Sequence, residues 1–277
     1  VDIKFIDEAG KETEFYSAVY TGSAIVPGMI VRDKTPGENF NKELKMMTGD
    51  EAYDKKNADY GVTYSDNVNA GTVTVMVYGL GGQDGYETTY CGIRTRTFTI
   101  TGKDLYDSDV KIGDIDTYVY TSKDICPEPT VTWEGHGDLT VGEEFQYTYR
   151  DNRNAGTGYA GIAPASGNGN FICSRPKEKG FTIEQKNIED KDVTLEGIPD
   201  QVYIGREIEP SLKIYWGVDE VTLTEADYSA TFGPNMQVGI VEVTIEGTGN
   251  YKGTLQTAFR IVPVNLSDIT LEYEKNP

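Results

Sequence analysis

A short aromatic hairpin occurs three times in this chain, and no other feature constrains the fold as strongly. Residues 60–64 alternate bulky and small side chains, which places the bulky ones on one face of a strand. The asparagines and glycine within residues 67–71 tolerate positive φ, so the chain can reverse before a second alternating run begins. The pattern returns at residues 145–157 and, in a weaker form, at residues 227–239. We therefore interpret the chain as three copies of one module.

Two further motifs recur in register with the hairpin, and we expect their aromatic residues to be buried in the core of each copy. The opening motif is Tyr-x4-Ile-x-Pro, with its tyrosine at Tyr20, Tyr120 and Tyr203. The closing motif is Phe-x-Ile, with its phenylalanine at Phe98, Phe181 and Phe259. The opening tyrosine precedes the hairpin aromatic by 25 residues in the later copies (120 to 145, 203 to 228) and by 40 in the first (20 to 60). The 15 extra residues of the first copy (40 − 25) predict an insertion within residues 34–57, with a short helix near residues 42–47.

Short joints follow each closing motif and set the module boundaries. Each joint leads to an alternating apolar pair, which we interpret as the first strand of the next module. The three modules then cover residues 1–101, 102–184 and 185–262, and residues 263–277 open a further repeat. By the same register, residues 269–273 are predicted to be extended. Because the joints are short, we expect semi-rigid connections between modules.

The composition of the chain predicts an all-β fold. Val, Ile, Thr and 19 tyrosines are spread through short segments that Gly, Asn, Asp and Pro interrupt. Regularly spaced strands without helical periodicity predict three tandem immunoglobulin-like β-sandwich modules in an elongated array. A hairpin of residues 3–6 with residues 13–15 is also expected in the first module.

Several stretches resemble the immunoglobulin-like repeats of large surface and secreted proteins of Gram-positive, often gut-dwelling, bacteria. The resemblance is carried by Gly-Thr-Gly-Asn-Tyr-Lys-Gly at residues 247–253 ahead of the last Phe-x-Ile, and by Asn-Val-Asn-Ala-Gly-Thr at residues 67–72. It covers nearly the whole chain three times over, although residues 167–171 and 237–240 depart from the pattern. The resemblance implies extracellular stalk or adhesive modules, with a host glycan or surface protein as partner, and it implies no catalytic residues.

Charge and hydropathy exclude some classes of partner. The formal net charge of −20 repels phosphate backbones and anionic membranes, so we expect no nucleic-acid binding. No apolar run reaches the ~20 residues that a membrane-spanning helix needs, so we expect no membrane insertion. Without a signal peptide, the residues are expected to be a mature or excised portion of a protein, and we also expect a monomer. The three cysteines show no Cys-x-x-Cys spacing, and we expect free thiols.

Acidic residues in the first joint are candidate calcium ligands, because calcium binds several oxygen atoms. These residues are Asp104, Asp107, Asp109, Asp114 and Asp116. Their spacing matches neither an EF-hand nor a nonapeptide repeat. Aspartates that cap turns explain the recurrence equally well, so both interpretations stay open.

Two tryptophans are candidate ligand-binding residues. Trp133 and Trp216 both lie 13 residues after their opening tyrosine (120 to 133, 203 to 216). If exposed, they could stack on sugar rings, and if buried they would close the module core. The single histidine, His136, lies between glycines, which favours a solvated turn over a triad or a zinc site.

Two functions therefore remain open. The first is a structural or adhesive stalk segment of a surface protein, and the second is a carbohydrate- or protein-binding module. The binding site of the second would lie in the insertion of the first module or at an exposed tryptophan. We expect no catalysis and no cofactor under either.

Overall fold

The computed structural model of the chain describes residues 1–218, 220–265 and 267, and over this range it confirms the all-β prediction. In residues 1–101, called repeat one, the elements are β1 (Asp2–Ile6), β2 (Glu12–Thr13), β3 (Ser17–Val19), β4 (Gly28–Arg32), α1 (Glu51–Asn57), β5 (Tyr60–Tyr64), β6 (Gly71–Gly79) and β7 (Ile93–Thr101). In residues 102–184, called repeat two, they are β8 (Lys103–Asp104), β9 (Val110–Ile112), β10 (Tyr118–Val119), β11 (Val131–Trp133), β12 (Gly137–Asp138), β13 (Phe145–Arg150), β14 (Gly156–Pro164), β15 (Phe171–Ile172) and β16 (Lys177–Glu184). In residues 185–262, called repeat three, they are β17 (Lys186–Asn187), β18 (Val193–Leu195), β19 (Gln201–Val202), β20 (Ile214–Trp216), β21 (Val221–Thr222), β22 (Tyr228–Phe232), β23 (Gly239–Gly247), β24 (Tyr251–Lys252) and β25 (Thr254–Val262).

Each repeat contains one four-stranded and one three-stranded sheet. The four-stranded sheets have the orders β3-β7-β6-β5, β10-β16-β14-β13 and β19-β25-β23-β22. In each of them the short first strand runs parallel to the strand that carries the closing motif. The three-stranded sheets have the orders β2-β1-β4, β12-β11-β9 and β18-β20-β21. The predicted N-terminal hairpin is confirmed, because Phe5 pairs with Thr13 in the antiparallel ladder of β1 and β2.

Recurring hydrogen bonds confirm the register of the opening motif and the hairpin. The side-chain amide of the hairpin asparagine donates to the carbonyl of the opening isoleucine in every repeat. The pairs are Asn67 with Ile25 at 3.0 Å, Asn152 with Ile125 at 3.0 Å, and Asn235 with Ile208 at 3.2 Å. A turn asparagine thus replaces a backbone donor, which is why the residue type recurs at this position.

The closing phenylalanines are buried as predicted, and the opening tyrosines are not. Phe98, Phe181 and Phe259 are all less than 5 % exposed and belong to hydrophobic clusters with their strand neighbours. Tyr20, Tyr120 and Tyr203 are half-buried, and each packs against the hydrophobic cluster of its own repeat. The predicted burial of the tyrosines is therefore confirmed only in part, because they lie at the edge of the core.

The insertion of repeat one consists of two excursions on either side of Leu44. The amide of Leu44 donates to Val31 O at 2.8 Å, as Leu139 does to Val131 and Leu223 to Ile214. Leu44 is buried and keeps the position that its counterparts hold, so the extra residues extend the loops before and after it.

The predicted helix near residues 42–47 is wrong, because that segment forms isolated bridges, Glu43 with Arg32 and Met46 with Tyr60. The helix lies later, at Glu51–Asn57, where Asp50 can cap it by accepting a bond from Tyr53 N at 3.1 Å.

Chain contacts divide the protein into two compact units. The first comprises residues 1–113, 130–148 and 161–178, and the second comprises residues 114–129, 149–160 and 179–277. The boundary between them falls within repeat two. No helix of the described residues is long and apolar enough to cross a membrane. The predicted extended segment at residues 269–273 lies outside the described residues.

Candidate functional site

Each joint is a short strand that pairs with the repeat it introduces. β8 runs parallel to β15, and β17 runs parallel to β24. The amide of Lys103 donates to Asn170 O at 2.8 Å, and the amide of Leu105 donates to Ile172 O at 2.8 Å. The second joint repeats both bonds, Lys186 N to Asn250 O at 2.9 Å and Ile188 N to Lys252 O at 2.8 Å. This pairing buries Leu105 and Ile188 completely.

A buried ion cluster surrounds the lysine of the first joint. Lys103 is only 6 % exposed, and its Nζ donates to Asp107 Oδ2 at 2.7 Å. The same Nζ donates to both carboxylate oxygens of Asp109, at 2.7 and 2.9 Å. It also lies 5.6 Å from the ring centre of Trp133, whose Nε1 donates to Asp109 Oδ2 at 3.2 Å. Two carboxylates and an aromatic face together compensate the ammonium for its lost water.

The second joint carries the same cluster. Lys186 is 8 % exposed, and its Nζ donates to Asp190 Oδ2 at 2.8 Å and to Asp192 Oδ1 at 2.7 Å. It lies 5.3 Å from the ring centre of Trp216. The indole N–H of Trp216 has a different acceptor here, the hydroxyl of Tyr251 at 3.1 Å.

The charges in these clusters stabilise one another. Burial alone would lower the pKa of Lys103, but its bonds to Asp107 and Asp109 outweigh burial and raise it. Burial likewise lowers the pKa of Lys186, but its bonds to Asp190 and Asp192 outweigh burial and raise that pKa. The ammonium in turn holds the pKa of Asp109 and of Asp192 below the usual range. Lys103, Lys186, Asp109 and Asp192 are therefore charged at neutral pH.

The opening tyrosine of the preceding repeat completes each cluster. Tyr20 packs against Trp133 at 6.3 Å between ring centres, and edge-on against Phe171 at 5.6 Å. Tyr120 packs in the same way against Trp216 at 6.4 Å and Tyr251 at 5.4 Å. Tyr20 and Tyr120 also pack against the hydrophobic clusters of their own repeats, so each tyrosine connects two successive cores.

The hairpin of the preceding repeat binds an asparagine of the following one. Asn170 Oδ1 accepts a bond from Ala70 N at 2.7 Å, and Asn170 Nδ2 donates to Asn69 Oδ1 at 3.0 Å. The second copy of this clasp is Asn250 Oδ1 with Ala155 N at 2.8 Å and Asn250 Nδ2 with Asn154 Oδ1 at 3.1 Å. We call the joint strand, the ion cluster, the tyrosine and this clasp together a junction. The first junction lies wholly in the first compact unit and the second lies wholly in the second.

His136 belongs to the first junction. Its imidazole is exposed but stacks on the indole of Trp133, with 4.5 Å between ring centres and 11° between planes. Gly22 of the preceding repeat lies so close that a Cβ there would be 2.6 Å from His136 Nε2. The solvated turn expected from the sequence is therefore also a packing element.

The predicted calcium ligands do not face one common point in the structure, and most of them contact other groups of the protein. Asp107 and Asp109 bind Lys103, as described above. Asp104 Oδ1 caps a turn by accepting bonds from Tyr106 N at 2.9 Å and Ser174 N at 3.1 Å. Asp114 pairs with Lys179 at 2.7 Å, and Asp116 is exposed. Among the described residues, no three His, Cys, Asp or Glu side chains are placed to hold a metal ion.

The tryptophans lie inside the junctions. Trp133 is 8 % exposed and contacts Tyr20, His136 and Phe171, so it has no open face for a sugar ring. Trp216 is half-buried beside Tyr120. All three cysteines are free, and burial raises the pKa of the Cys173 thiol.

Two concave sites lie in repeat one, away from the junctions. One, of about 390 Å³, is lined by aliphatic and aromatic side chains, among them Leu44 and Tyr60, and by Arg94. The other, of about 360 Å³, lies on the insertion and is lined by the three exposed lysines Lys42, Lys45 and Lys56, together with Asp59 and Glu87. None of these lysines forms an ion pair with a described carboxylate.

The sequence contained a signal for the ion clusters that the calcium interpretation overlooked. Both joints read Lys-x3-Asp-x-Asp, so each brings its own cation, and a tryptophan follows at a fixed distance from the opening tyrosine. Comparison with known proteins adds no assignment, since no protein-family model and no curated protein matches the sequence.

Proposed function

We propose that this chain is a structural spacer, a stalk segment of an extracellular bacterial surface protein of the immunoglobulin-like repeat type. Its three sandwich modules, residues 1–101, 102–184 and 185–262, would form an elongated array whose role is to extend and present. The observation that carries this proposal is the duplicated junction, in which a lysine, two aspartates, a tryptophan and the preceding tyrosine meet twice in similar arrangements.

The chemistry of the junction suits a connection that resists bending. A tether needs no buried charge, whereas here an ammonium, two carboxylates and an indole are brought together at each joint. Removing one partner of a fully buried ion pair commonly costs about 3–5 kcal/mol, and the cost here is smaller because solvent reaches the aspartates. The clasp adds two hydrogen bonds between successive repeats. A joint built in this way keeps a fixed angle because bending would break several contacts together.

A double variant, Lys103→Met with Lys186→Met, tests the spacer role. The partner carboxylates are between 38 and 51 % exposed, so water can solvate them and the repeats should stay folded. We expect small-angle X-ray scattering to show a broader distribution of interatomic distances, with an unchanged circular dichroism spectrum.

The matched control is Lys111→Met with Lys213→Met. It removes two exposed ion pairs, Lys111 with Glu134 at 3.7 Å and Lys213 with Glu196 at 3.3 Å. The control should scatter like the unchanged chain. Identical scattering by the unchanged chain and the junction variant would contradict a spacer stiffened by the junctions.

A second candidate is a binding module, and the lysine-lined site on the insertion favours it. Three lysines line one concavity together with Asp59 and Glu87, in a chain of net charge −20, and none of the three forms an ion pair with a described carboxylate. Such a site suits an acidic sugar, whose carboxylate or sulfate would bind the ammonium groups.

An acidic-glycan array separates the two candidates. Binding of sialylated or sulfated glycans should be lost in the triple variant Lys42→Ala, Lys45→Ala, Lys56→Ala. It should persist in the control triple Lys11→Ala, Lys111→Ala, Lys191→Ala, which changes net charge equally. If neutral and acidic glycans are both ignored by the unchanged chain, the binding role fails and the spacer role is unaffected.

A further inference from the structure

The strand β22 of repeat three lies at the edge of its sheet, and its hydrogen-bond register is fixed at both ends. The order β19-β25-β23-β22 gives it one partner, β23. Just before the strand, Thr248 N donates to Asp227 O at 2.9 Å, and just after it Gly233 N donates to Glu242 O at 2.8 Å. Both bonds belong to one antiparallel register. Residues 227, 229, 231 and 233 therefore direct their backbone groups toward β23.

The residues between them direct their backbone groups outward. Tyr228, Ala230 and Phe232 alternate with the paired residues, so their N–H and C=O groups face away from β23. In the part of the chain that the structure describes, none of these six groups forms a hydrogen bond. β22 thus presents a row of open donors and acceptors, which is a template for a strand added from outside.

Repeat one shows what such an edge accepts. Tyr60 takes the position of Tyr228, and its carbonyl accepts a bond from Met47 N at 2.9 Å while its amide donates to Lys45 O at 3.2 Å. Met46 and Tyr60 form a parallel bridge. An extended segment of the insertion therefore covers the start of this edge and runs parallel to it.

Repeat two covers the same position, and repeat three does not. Phe145 O accepts a bond from Gly142 N at 2.7 Å, and Val141 forms a parallel bridge with Phe145. In repeat three the corresponding segment closes on itself, because Thr224 N donates to Asp227 Oδ2 at 2.8 Å. The cover comes from within the repeat in both earlier copies. Its absence at β22 is thus a property of the loop of repeat three itself.

A groove of about 310 Å³ lies along the open edge. Its lining comes from β22, with half-buried Tyr228 and Phe232, and from residues 209–212. The backbone groups of residues 209–212 make no hydrogen bond with a described residue. Pro210 in that segment has no N–H, so the segment cannot close onto β22 as a regular ladder. The groove therefore has room for a chain beside the strand edge.

The charge of the groove indicates the chemistry of its occupant. Glu209 and Glu225 are exposed and line it, and no lysine or arginine does. Neither carboxylate forms an ion pair with a described residue. An occupant that carries lysine or arginine would supply the missing cations.

We propose that the open edge of β22 binds an extended basic peptide segment of a partner protein, which adds as a parallel strand in the groove. Its backbone pairs with Tyr228, Ala230 and Phe232, and its cations lie near Glu209 and Glu225. Alternate apolar side chains of the segment lie beside the two aromatic residues. This is recognition by strand addition, in which backbone bonds give affinity and side-chain contacts give specificity. The inference concerns an interaction surface of repeat three and does not depend on the spacer role.

A capped peptide, Val-Lys-Val-Arg-Val-Lys-Val, tests the proposal on the intact chain. Isothermal titration calorimetry at an ionic strength of about 0.15 M limits unspecific charge attraction to a range of about 8 Å. We expect saturable binding of one peptide per chain. The control peptide Val-Glu-Val-Glu-Val-Glu-Val should bind at least about tenfold more weakly, because its carboxylates meet carboxylates. No saturable binding of the first peptide, or equal binding of both, would overturn the proposal.

A pair of double variants locates the charge contacts. Glu209→Gln with Glu225→Gln should weaken binding of the basic peptide about fivefold, since exposed ion pairs each contribute modestly. The matched control, Glu8→Gln with Glu128→Gln, removes two exposed carboxylates from repeats one and two and changes the net charge equally. It should leave binding unchanged. Equal weakening in both double variants would mean that the peptide responds only to net charge, which contradicts the proposal.

Ala230→Pro tests the strand edge itself. The amide of Ala230 faces outward, so proline removes a donor to the peptide and leaves the ladder with β23 intact. We expect binding to weaken at least about tenfold. Unchanged binding to a folded Ala230→Pro variant would refute strand addition.

If Ala230→Pro does not fold, amide hydrogen exchange on the unchanged chain decides. The peptide should slow exchange at the outward amides of Tyr228, Ala230 and Phe232 more than at the amides of Ser229 and Thr231, which already face β23. Slowing that is even along the strand, or that occurs only elsewhere in the chain, would overturn the proposal.

A second copy of the chain is the alternative occupant. Pairing of β22 with the same strand of another copy would bring Glu209 and Glu225 of both chains together, and their repulsion opposes it. Sedimentation velocity should therefore show no dimer formed through this edge. Dimers that Ala230→Pro abolishes and the basic peptide does not dissociate would refute the proposal.

Discussion

At the scale of single residues, the junction lysine decides the character of each joint. Lys103 and Lys186 are nearly buried, yet each has two carboxylates and an indole in contact. In each cluster the lysine is nearly buried, whereas both aspartates are partly exposed. The attraction between them requires a charged ammonium and charged carboxylates, so the stability of the cluster should depend on the charge of both partners.

Stability should fall at both ends of the pH range. The pKa of Asp109 and of Asp192 is lowered by the joint lysine, so their contribution is present above the unfolded value of about 3.8. It is lost as pH falls through the folded value. The raised pKa of Lys103 and of Lys186 gives a contribution present below 10.5 and lost as pH rises through the folded value.

Urea unfolding at pH 3 and pH 7 measures how much stability is lost when the junction aspartates are protonated at low pH. The loss of unfolding free energy between the two should be smaller in Asp109→Asn with Asp192→Asn than in the unchanged chain. The control, Asp116→Asn, removes an exposed carboxylate outside the ion clusters and should keep the full loss. An equal loss in all three proteins would contradict an acid response through the junctions.

Gly22 should tolerate no side chain while His136 is present. Its φ is +76°, and a Cβ would lie 2.6 Å from His136 Nε2, so Gly22→Ala combines backbone strain with a collision. The strain alone costs about 1–2 kcal/mol. In thermal or urea unfolding, we expect Gly22→Ala to lower the free energy of unfolding by more than this strain cost. The part that exceeds the strain cost should be recovered when His136→Ala is added. Ser122 takes the corresponding position in repeat two with φ +61°, which shows that the backbone conformation itself is tolerated.

At the scale of elements, the hairpin has two roles on its two sides. Toward its own repeat, Asn67 holds the opening loop, and toward the next repeat, Asn69 and Ala70 meet Asn170. The run Asn-x-Asn-Ala-Gly-Thr is therefore both a turn and a contact surface. In repeat three the first asparagine remains as Asn235, and the Asn-Ala pair is replaced by Gln237-Val238.

Asn250→Ala should weaken the second junction without unfolding repeat three. It removes the acceptor for Ala155 N and the donor to Asn154 Oδ1. Two exposed or half-buried hydrogen bonds contribute about 1–3 kcal/mol together. Hydrogen exchange at Ala155 should become faster, while the exposed control Asn39→Ala leaves it unchanged. Unchanged protection of Ala155 in Asn250→Ala would show that the clasp contributes nothing.

At the scale of the whole molecule, the two compact units follow the two junctions and not the three sequence copies. Each unit contains one complete junction, and the boundary passes through repeat two within β13, β14 and β16. Contacts between successive repeats are thus dense enough to group residues across a sequence boundary. This pattern is expected of repeat arrays, where neighbour interfaces supply much of the stability.

Chelation should leave the melting temperature almost unchanged. The aspartates of the joints are occupied by lysine, and no described cluster is placed to hold a metal ion. Differential scanning calorimetry with and without EDTA measures the effect, with sodium chloride as the ionic-strength control. A fall of many degrees that calcium reverses would mean that the joint aspartates bind calcium after all.

Local patterns in the sequence determined the strands and their register. Alternation of period two, the recurring turn asparagine and the closing phenylalanines all depend on near neighbours, so the hairpins and buried faces could be predicted without any partner. The positions of Asn67, Phe98 and their counterparts follow from this alone.

The junctions required the tertiary structure. Tyr20 meets Trp133, and Asn69 meets Asn170, across separations of about one hundred residues, and no local periodicity indicates which distant side chain is the partner. For the same reason the joint aspartates looked like ligands for an external cation, although Lys103 and Lys186 supply the charge from within the chain. Pairing across the fold is set by which surfaces become adjacent, and that depends on the packing of whole sheets.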